Sequence, residues 1–528
     1  MPDAEHRETS GDPRVSSPPR GVRHIIAVAG GKGGAGTSVM AINLAVYLAQ
    51  LGRRVVLVDA APAGAALHTM MGVTLPLQAR ETEADDEQLE SVPTQVPGLR
   101  LSPQGYTHGA TSPTRPGRKP RWARGLRLLD ADYVLLDLGG GTAPASLDLF
   151  LGADMGILVT TPEPPSVEGV YRFCRALFQR KLRRALVKDR FKHRLVERAQ
   201  ADLAPLPAPQ DVVRALARYD TALGELGARE LSLIRPRLVV NGARLRDDGD
   251  VGPEMVDMAR RYLGVSFDYL GHIEQDDSVW LSTVRSRPLL VDSPTSKSAR
   301  NIERIARRVL ALATSREQAR DVAPVSLVPA EPNLYDILFT QRSATDEELR
   351  RAYKRQREIY QSGSLPLTSL VDDEKLRAEL ARVDEAHDTL LDPLRRRAYD
   401  ISTFPEADES VKPENPLVDA AAEAEREMLR AELVREINAE TEFTGALLRK
   451  VRESQGTELD DIANRTKISL AHLRAIEAED FAKFPAFVYA RGFIHEVAKC
   501  LGLDPSQVTR TYLRRFREWM RASEGQAS

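Results

Sequence analysis

The chain has little cysteine, few aromatic residues and no long apolar run. Its 528 residues include two cysteines, Cys174 and Cys500, and neither has neighbours at the spacing of a metal site or a disulfide framework. No apolar segment approaches the roughly 18–20 residues that span a bilayer. Lysine plus arginine number 74 and aspartate plus glutamate 76, so nucleic-acid binding would need a local basic patch. These absences favour a soluble, multidomain, cytoplasmic protein.

A glycine-rich turn, Gly30–Ser38, follows an apolar strand-like run and precedes an apolar helix-like run. Such a turn lets successive backbone N–H groups surround phosphate oxygens at the N-terminus of a helix. The usual phosphate-loop pattern is G-x-x-x-x-G-K-[ST], in which the lysine reaches the phosphates and the hydroxyl reaches Mg²⁺. Gly31, Gly36 and Ser38 fit this pattern, but Thr37 stands at the lysine position. The alternative is a glycine-rich turn that binds nothing.

A second lysine, Lys32, stands early in the same turn. The run from Lys32 to Ser38 resembles the deviant Walker A loop of the MinD/ParA family, in which an early lysine reaches the partner's nucleotide across a dimer. The resemblance implies ATP or ADP with Mg²⁺ as cofactor and a homodimer as one assembly. The residues that it assigns to the nucleotide in this loop are Gly31, Lys32, Gly33, Gly34, Gly36, Thr37 and Ser38.

Two buried strand-like runs end in acidic residues, Asp59 and Asp137. Parallel strands deliver such carboxylates to the carboxyl edge of a sheet. Asp137 stands where a Walker B aspartate belongs, and Ser38, Asp59 and Asp137 are the predicted Mg²⁺ ligands. The family pattern Asp-x-Asp reads Asp59-Ala60-Ala61 here, so the second carboxylate, which orients the attacking water in those relatives, is replaced by Ala61. A helix cap is the alternative role for Asp59.

Later segments of the same domain add further expectations. The run 153–164 resembles a strand and loop of the FlhG/FleN branch of the family, which positions flagella. Asn241 follows another buried strand, where family members contact the base. The helix predicted at 298–312 has one apolar face, for which packing on the sheet is expected and membrane targeting is the alternative. The basic stretch 172–198 is interpreted as a solvated face, with anionic lipid or nucleic acid as alternative partners.

Two more stretches resemble small helical modules. Residues 333–353 and 392–400 resemble the opening and closing motifs of a J-domain, but Gln361-Ser362-Gly363 stands where a working J-domain carries His-Pro-Asp. We therefore expect protein contacts and no activation of a DnaK-type chaperone. Residues 443–477 predict three short helices with a helix-turn-helix, and with 484–505 they resemble the cytoplasmic domain of RodZ, which binds a cytoskeletal filament.

The predicted recognition helix offers three candidates for contact with DNA or a protein partner, namely Ser469, His472 and Arg474. They lie at its exposed start, where base edges and phosphates are met. The acidic residues that follow are Glu477, Glu479 and Asp480. Their charge is expected to repel phosphates, which favours a protein partner over DNA.

The expected fold is an α/β doubly wound, mostly parallel sheet of the P-loop NTPase type, followed by two small all-α domains. The expected divisions are a disordered tail at 1–22, a MinD/ParA-like domain at 23–314, a linker at 315–332, a degenerate J-like domain at 333–402, a linker with a charged helix at 403–440, a RodZ-like helix-turn-helix domain at 441–518 and a tail at 519–528.

The predicted function is that of a cytoplasmic spatial regulator or scaffold of MinD/ParA type, acting through protein contacts in cell polarity, division or motility placement. Its expected partners are bacterial positioning or cytoskeletal proteins, with DNA and peripheral membrane contact as alternatives, and its expected place is a pole, midcell or the periphery of the inner membrane. Thr37 and Ala61 predict at most a weak ATPase. The competing hypotheses are an active ATP-dependent dimerising switch and a DNA-binding regulator that uses the helix-turn-helix.

Overall fold

The structure is a computed structural model that describes residues 24–524 with gaps. The gaps are 63–65, 76–88, 105–120, 188, 202, 204, 245–246, 316–331, 405–425, 427, 434–435, 439 and 485–486. The predicted tail at 1–22 and most of the two predicted linkers therefore lie outside the described residues. The described residues form two compact units, the first drawn from 1–267, 271–303 and 324–405 and the second from 268–270, 304–323 and 406–528.

An eight-stranded, mostly parallel sheet organises the N-terminal half. Its strands are β1 His24–Gly30, β2 Val55–Asp59, β3 Val92–Pro93, β4 Leu99–Ser102, β5 Tyr133–Gly140, β6 Met155–Thr160, β7 Arg237–Ala243 and β8 Asp268–Glu274. The order is β3-β4-β2-β5-β1-β6-β7-β8, and β3 runs antiparallel to β4. All five residues of β2 are buried, as expected of a strand covered on both faces. The predicted α/β fold class is confirmed.

Eleven helices accompany this sheet in the part of the chain that is described. They are α1 Thr37–Gln50, α2 Leu67–Met70, α3 Pro144–Gly152, α4 Pro164–Ala185, α5 Arg190–Ala201, α6 Pro209–Tyr219, α7 Thr221–Ser232, α8 Val251–Leu263, α9 Asp277–Val284, α10 Leu289–Asp292 and α11 Lys297–Ser315. The basic stretch 172–198 is divided between two of these helices, α4 and α5. No helix among the described residues is long and apolar enough to cross a bilayer.

The apolar face of α11 is inside the protein. Ile302, Ile305 and Val309 are each at most 1% exposed. The Arg308 guanidinium donates to the Leu270 carbonyl over 2.9 Å. This face is occupied by packing, so the alternative in which it targets a membrane does not hold.

A four-helix module follows in the first unit. It comprises α12 Leu334–Leu338, α13 Asp346–Ile359, α14 Asp373–Leu390 and α15 Pro393–Thr403. A capping box starts α13, because the Thr345 hydroxyl accepts from the Glu348 N–H and the Glu348 carboxylate accepts from the Thr345 N–H over 2.7 Å. The J-domain resemblance of this module stays a prediction.

The segment after the absent His-Pro-Asp position contacts the α/β domain. The buried Tyr171 hydroxyl of α4 donates to the Pro366 carbonyl over 2.7 Å, and the Arg175 guanidinium donates to the Ser369 carbonyl over 3.0 Å. The hydroxyl groups of Tyr262 and Tyr360 are 2.9 Å apart in the same buried region. The module therefore contacts α4 through the segment 366–369, which lies between α13 and α14.

The second unit contains the C-terminal helices. They are α16 Gly445–Ser454, α17 Leu459–Thr466, α18 Leu470–Ala478, α19 Phe487–Cys500 and α20 Pro505–Glu524. Their common apolar core includes Leu448, Ile462, Ile476 and Tyr512, and the Tyr512 hydroxyl donates to the Ile476 carbonyl over 2.6 Å. The last helix continues to Glu524, beyond the expected end of this module at 518.

Candidate nucleotide site

The glycine-rich turn joins β1 to α1 at the carboxyl edge of the sheet. Gly34 and Gly36 have φ angles of 85° and 91°, which glycine adopts without strain. Gly36 caps α1 without a side-chain hydrogen bond, and the first turn of α1 contains no acidic residue. The first N–H groups of α1 therefore remain available to an anion, in the manner of a phosphate-binding helix start.

Two close backbone contacts fix the base of this loop. A Cβ atom on Gly31 would lie 2.0 Å from the Gly169 carbonyl carbon of α4, and one on Gly140 would lie 2.4 Å from the Lys32 carbonyl oxygen. Gly33 and Gly34, by contrast, have nothing within 4 Å of the position of a Cβ. The base of the loop is packed tightly, while its tip is open enough for a phosphate group to approach the backbone.

The predicted metal ligands come together beside this loop. Ser38 at the start of α1 donates its hydroxyl hydrogen to a carboxylate oxygen of Asp137 over 2.6 Å. Asp59 and Asp137 are direct neighbours in the pairing of β2 with β5. Both carboxylates are buried, with residue exposures of 1% and 0%. Ser38 and Asp137 thus place two oxygen atoms side by side, whereas Asp59, beside Asp137 in the sheet, accepts from the Leu67 N–H over 3.4 Å at the start of α2, in agreement with its alternative role as a helix cap. Oxygen atoms are the ligands that a hard cation such as Mg²⁺ prefers.

The electrostatic state of Asp137 favours a cation. Burial raises the pKa of this carboxyl to about 6, and the charge of Asp59 raises it further, while hydrogen bonds from Ser38 and the Gly139 N–H oppose the rise. Among the described residues no lysine or arginine forms an ion pair with Asp137. A divalent ion would replace the proton and supply the missing positive charge, so the oxygen set fits Mg²⁺.

The part of the site that would face the phosphates lacks some of the expected groups. Thr37 is 7% exposed, and a Cβ on Gly30 would be 3.0 Å from its methyl group, so Thr37 is a small, packed, neutral side chain. The Lys32 ammonium lies 3.1 Å from the Glu163 carboxylate just before α4. The Lys32 ammonium, with its hydrogen bond and its charge, lowers the pKa of Glu163. The lysine of the loop, Lys32, therefore forms an ion pair within its own chain.

Ala61 and Asn241 border the same loop. Ala61 is 6% exposed, and a Cβ on Gly139 would lie 3.1 Å from the Ala61 Cβ. The methyl group of Ala61 cannot hold a water molecule by hydrogen bonding. The Asn241 amide donates to the Ala35 carbonyl over 3.0 Å. A Cβ on Gly36 would lie 2.2 Å from the Asn241 amide nitrogen. Asn241 positions the loop in this structure, and its contact with a base stays a prediction.

The helix-turn-helix candidates occupy the start of α18. The Ser469 hydroxyl caps this helix, accepting from the His472 N–H over 3.4 Å, and lies 2.9 Å from the His472 ring nitrogen Nδ1. The His472 ring is tilted against Phe493, with centroids 5.4 Å apart. Arg474 is exposed. Ser469 and His472 therefore serve the fold of this helix, and Arg474 is the one of the three that faces solvent freely.

The expected repulsion of DNA by the acids after this start needs correction. Each acidic side chain is paired with a basic one: Glu477 with Arg452 at 2.6 Å, Glu479 with Arg515 at 2.7 Å and Asp480 with Lys483 at 2.6 Å. Compensated charges repel phosphate much less than free ones. The acids therefore do not decide between DNA and a protein partner.

Sequence reasoning missed Glu163, Gly140 and Gly169 as parts of this site. Gly140 belongs to the glycine run after Asp137. Glu163 lies 131 residues after Lys32 in the chain and Gly169 lies further on, and only the parallel pairing of β1 with β6 brings them to the loop. No local pattern in the sequence signals such a contact.

Two family models match parts of the chain. Residues 21–185 match the ParA model, described as a NUBPL iron-transfer P-loop NTPase, and residues 447–508 match a helix-turn-helix domain. With the strand order and the loop geometry, the first match indicates a ParA-type P-loop NTPase domain over residues 21–185. The second defines a helix-turn-helix domain near the C-terminus.

The curated relatives share the N-terminal region. The iron-sulfur cluster carrier protein of Deinococcus radiodurans is 33% identical over 151 residues, which are 27% of this chain and 42% of that protein. The carrier protein of Bacillus subtilis is 34% identical over 149 residues, 26% of this chain and 40% of that protein. The chain thus spans less than half the length of these relatives.

Solved structures of MinD proteins are also similar. The septum site-determining protein MinD of Pyrococcus horikoshii, complexed with Mg-ADP, has 22% identity and a TM-score of 0.36, covering 56% of this chain and 99% of its own. MinD of Pyrococcus furiosus has 21% identity and a TM-score of 0.35, covering 55% of this chain and 100% of its own. Because these TM-scores are low, the fold is assigned from the strand order and the family match.

The raised pKa of Asp137 predicts a pH-dependent stability. Because the native carboxyl binds a proton more readily than the unfolded one, its contribution to the free energy of unfolding falls as pH rises from about 4 to about 7. Two pKa units correspond to at most about 3 kcal/mol. The free energies of unfolding of wild type and Asp137→Asn can be compared by urea unfolding at the two pH values. Between the lower and the higher pH, the wild type should lose up to this amount of stability relative to the variant.

Asp373→Asn, which makes the same substitution at an exposed aspartate, is the control. Excess Mg²⁺ with ADP should reduce the Asp137 effect by replacing the proton. A difference between wild type and Asp137→Asn that stays constant with pH would contradict the assignment.

Proposed function

We propose that the α/β domain binds ATP or ADP with Mg²⁺ and hydrolyses ATP poorly, within a spatial regulator or scaffold of MinD/ParA type. The observation that carries this proposal is the meeting of Ser38, Asp59 and Asp137 beside an open glycine loop. Ser38 and the two carboxylates would hold the Mg²⁺, and the N–H groups of the loop and of the α1 start would bind the phosphates. The ion supplies charge neutralisation of the phosphate oxygens when it is bound.

The weak hydrolysis follows from two missing groups. Thr37 contributes no positive charge to the phosphates, and Ala61 contributes no oxygen to orient a water molecule. Contributions of such groups to phosphoryl transfer reach factors of about 10³ or more. Lys32 would have to leave Glu163 before it could reach a partner's nucleotide. The residues present thus support binding better than turnover.

The iron-sulfur cargo in the names of the relatives is not part of this proposal. Protein-held clusters are bound mainly by cysteine thiolates. Of the two cysteines in this chain, Cys174 is fully buried in α4, and burial raises the pKa of its thiol to about 12. A buried, protonated thiol is a poor ligand. The cysteine content therefore favours a nucleotide role without a cluster.

The helical modules supply the surfaces of the proposed scaffold. The side of the J-like module that would meet a DnaK-type chaperone is engaged by Tyr171 and Arg175, which supports the expectation that no such chaperone is activated. The C-terminal helix-turn-helix unit would then contact bacterial positioning or cytoskeletal proteins in cell polarity, division or motility placement. An active dimerising switch ATPase is disfavoured by Thr37 and Ala61.

A DNA-binding regulator is the second candidate. Two observations favour it: the match of residues 447–508 to a helix-turn-helix domain and the compensation of the acids after Arg474 by basic partners. The exposed surface of α18 weakens the DNA-binding candidate. Besides Arg474, this surface presents Ala471 and Ala478, and neither alanine can read bases through hydrogen bonds.

Nucleotide binding is tested by calorimetry with the full chain. ADP should bind more tightly with Mg²⁺ than without it, and Ser38→Ala should lower the Mg²⁺-dependent affinity about tenfold or more, because one oxygen ligand and the hydrogen bond to Asp137 are lost. Ser343→Ala, at an exposed serine, should leave the affinity unchanged. Equal ADP affinity in wild type and Ser38→Ala, or no binding in wild type, would refute the proposed site.

Cellular placement is tested with fluorescent fusions in the organism from which the chain derives. The proposal predicts a focus at a pole or at midcell. A signal that follows the nucleoid and is lost with Arg474→Ala would favour the DNA-binding regulator instead. A uniform signal in both strains would contradict a role in placement.

A further inference from the structure

One side of α5 is exposed and combines basic with apolar side chains. Phe191 is 72% exposed, and Val187, in the connection just before α5, is 76% exposed. Arg190, Arg194 and Arg198 are exposed as well. In an α-helix, positions 190, 191, 194 and 198 lie on one side. We refer to Val187, Arg190, Phe191, Arg194 and Arg198 as the basic–apolar face.

The opposite side of α5 already has its packing partner. Val196 and Ala199 are buried, at 3% and 2% exposure, and α5 packs against α6. The side of α5 that carries Val196 and Ala199 therefore packs on the domain. The apolar residues of the basic–apolar face are not needed for this packing.

The arginines of this face carry uncompensated charge. In the described part of the chain, Arg190, Arg194 and Arg198 form no ion pair. Of the two acids in this region, Asp189 lies 3.8 Å from the Lys192 ammonium, and Glu197 lies 3.5 Å from the His193 ring nitrogen Nε2, which is an ion pair only when the imidazole is protonated. The arginines of the face therefore outnumber the one acid that lies beside them. The last turn of α4 contains a further exposed arginine, Arg183, whereas Arg184 lies 3.7 Å from the Asp148 carboxylate. The face is strongly positive as well as apolar.

The chemistry of this face fits an anionic bilayer. A helix that lies in the headgroup region buries aromatic and aliphatic side chains at the acyl boundary and contacts lipid phosphates with its arginines. A nucleic acid would use the arginines and could stack on Phe191, but it would leave Val187 without a partner. We propose that the basic–apolar face is a docking surface for a membrane that contains anionic lipid, into which Phe191 and Val187 insert.

This surface is separate from the nucleotide site and from α11. The apolar residues of α11 are buried, and the nucleotide residues lie at the carboxyl edge of the sheet. Docking by the basic–apolar face requires neither ATP nor a partner protein. Its failure would therefore leave the proposed nucleotide function intact, and the reverse also holds.

Sedimentation of the full chain with vesicles tests the proposal. Wild-type protein should sediment with vesicles of two parts phosphatidylcholine to one part phosphatidylglycerol and remain in solution with phosphatidylcholine alone. Each basic residue near an anionic surface changes the partition coefficient about fivefold. Arg190→Glu with Arg194→Glu should therefore lower binding by at least about twentyfold. Val187→Ser with Phe191→Ser should also lower it severalfold, because the inserted apolar area is lost.

The chain offers a matched control for each pair. Arg350→Glu with Lys354→Glu makes the same change in charge at the same helical spacing on the exposed side of α13. Leu394→Ser with Ile401→Ser removes two apolar side chains that are 82% and 66% exposed on α15. Both control pairs should bind the anionic vesicles as the wild type does.

A fluorescence measurement keeps the test independent of the folding of the charge variants. Tryptophan in Phe191→Trp should be quenched by brominated lipid in anionic vesicles, whereas tryptophan in Ile401→Trp should not. Absence of vesicle binding by the wild type, or equal losses in the test and control pairs, would overturn the proposal. Loss of binding with the arginine pair alone, together with full competition by duplex DNA, would assign the face to nucleic acid and would also overturn it.

Discussion

The hydrogen bond between Ser38 and Asp137 is the interaction on which the site depends. It joins the first turn of α1 to the end of β5 and places a hydroxyl oxygen against a buried carboxylate. Asp59, the neighbour of Asp137 on β2, is a second buried carboxylate. Collecting this much negative charge inside a protein is unfavourable without a cation, as the raised pKa of Asp137 indicates. This arrangement supports the proposed Mg²⁺ site.

The two sides of the loop differ in what they retain. The metal side keeps its hydroxyl and both carboxylates, and the backbone keeps its open tip at Gly33 and Gly34. The phosphate side lacks a charged group at Thr37, and the switch lacks a carboxylate at Ala61. Lys32 is present but lies against Glu163. An uneven site of this kind is consistent with a domain that holds a nucleotide and depends on other modules for its effect.

Much of the fold could be predicted from the sequence, because buried parallel strands are continuous apolar runs and phosphate loops need glycine at fixed positions. The placement of Ser38, Asp59 and Asp137 at one edge followed from the same rule. Contacts between distant segments could not be predicted. The pairing of Lys32 with Glu163 and the binding of Pro366 by Tyr171 depend on three-dimensional packing that no local pattern encodes. The ion pair of Glu477 with Arg452 could not be predicted either, and it weakens the repulsion of phosphates that was expected of a free Glu477.

The central claim is that this loop retains nucleotide without hydrolysing it efficiently. The most direct test is to load the full chain with ATP and Mg²⁺, remove the free nucleotide, and follow the identity of the bound nucleotide over time. The account predicts that wild-type protein retains mainly ATP, and that Thr37→Lys with Ala61→Asp converts it to ADP much faster. Rapid conversion by the wild type, abolished by Lys32→Ala, would contradict the account and identify an active switch ATPase.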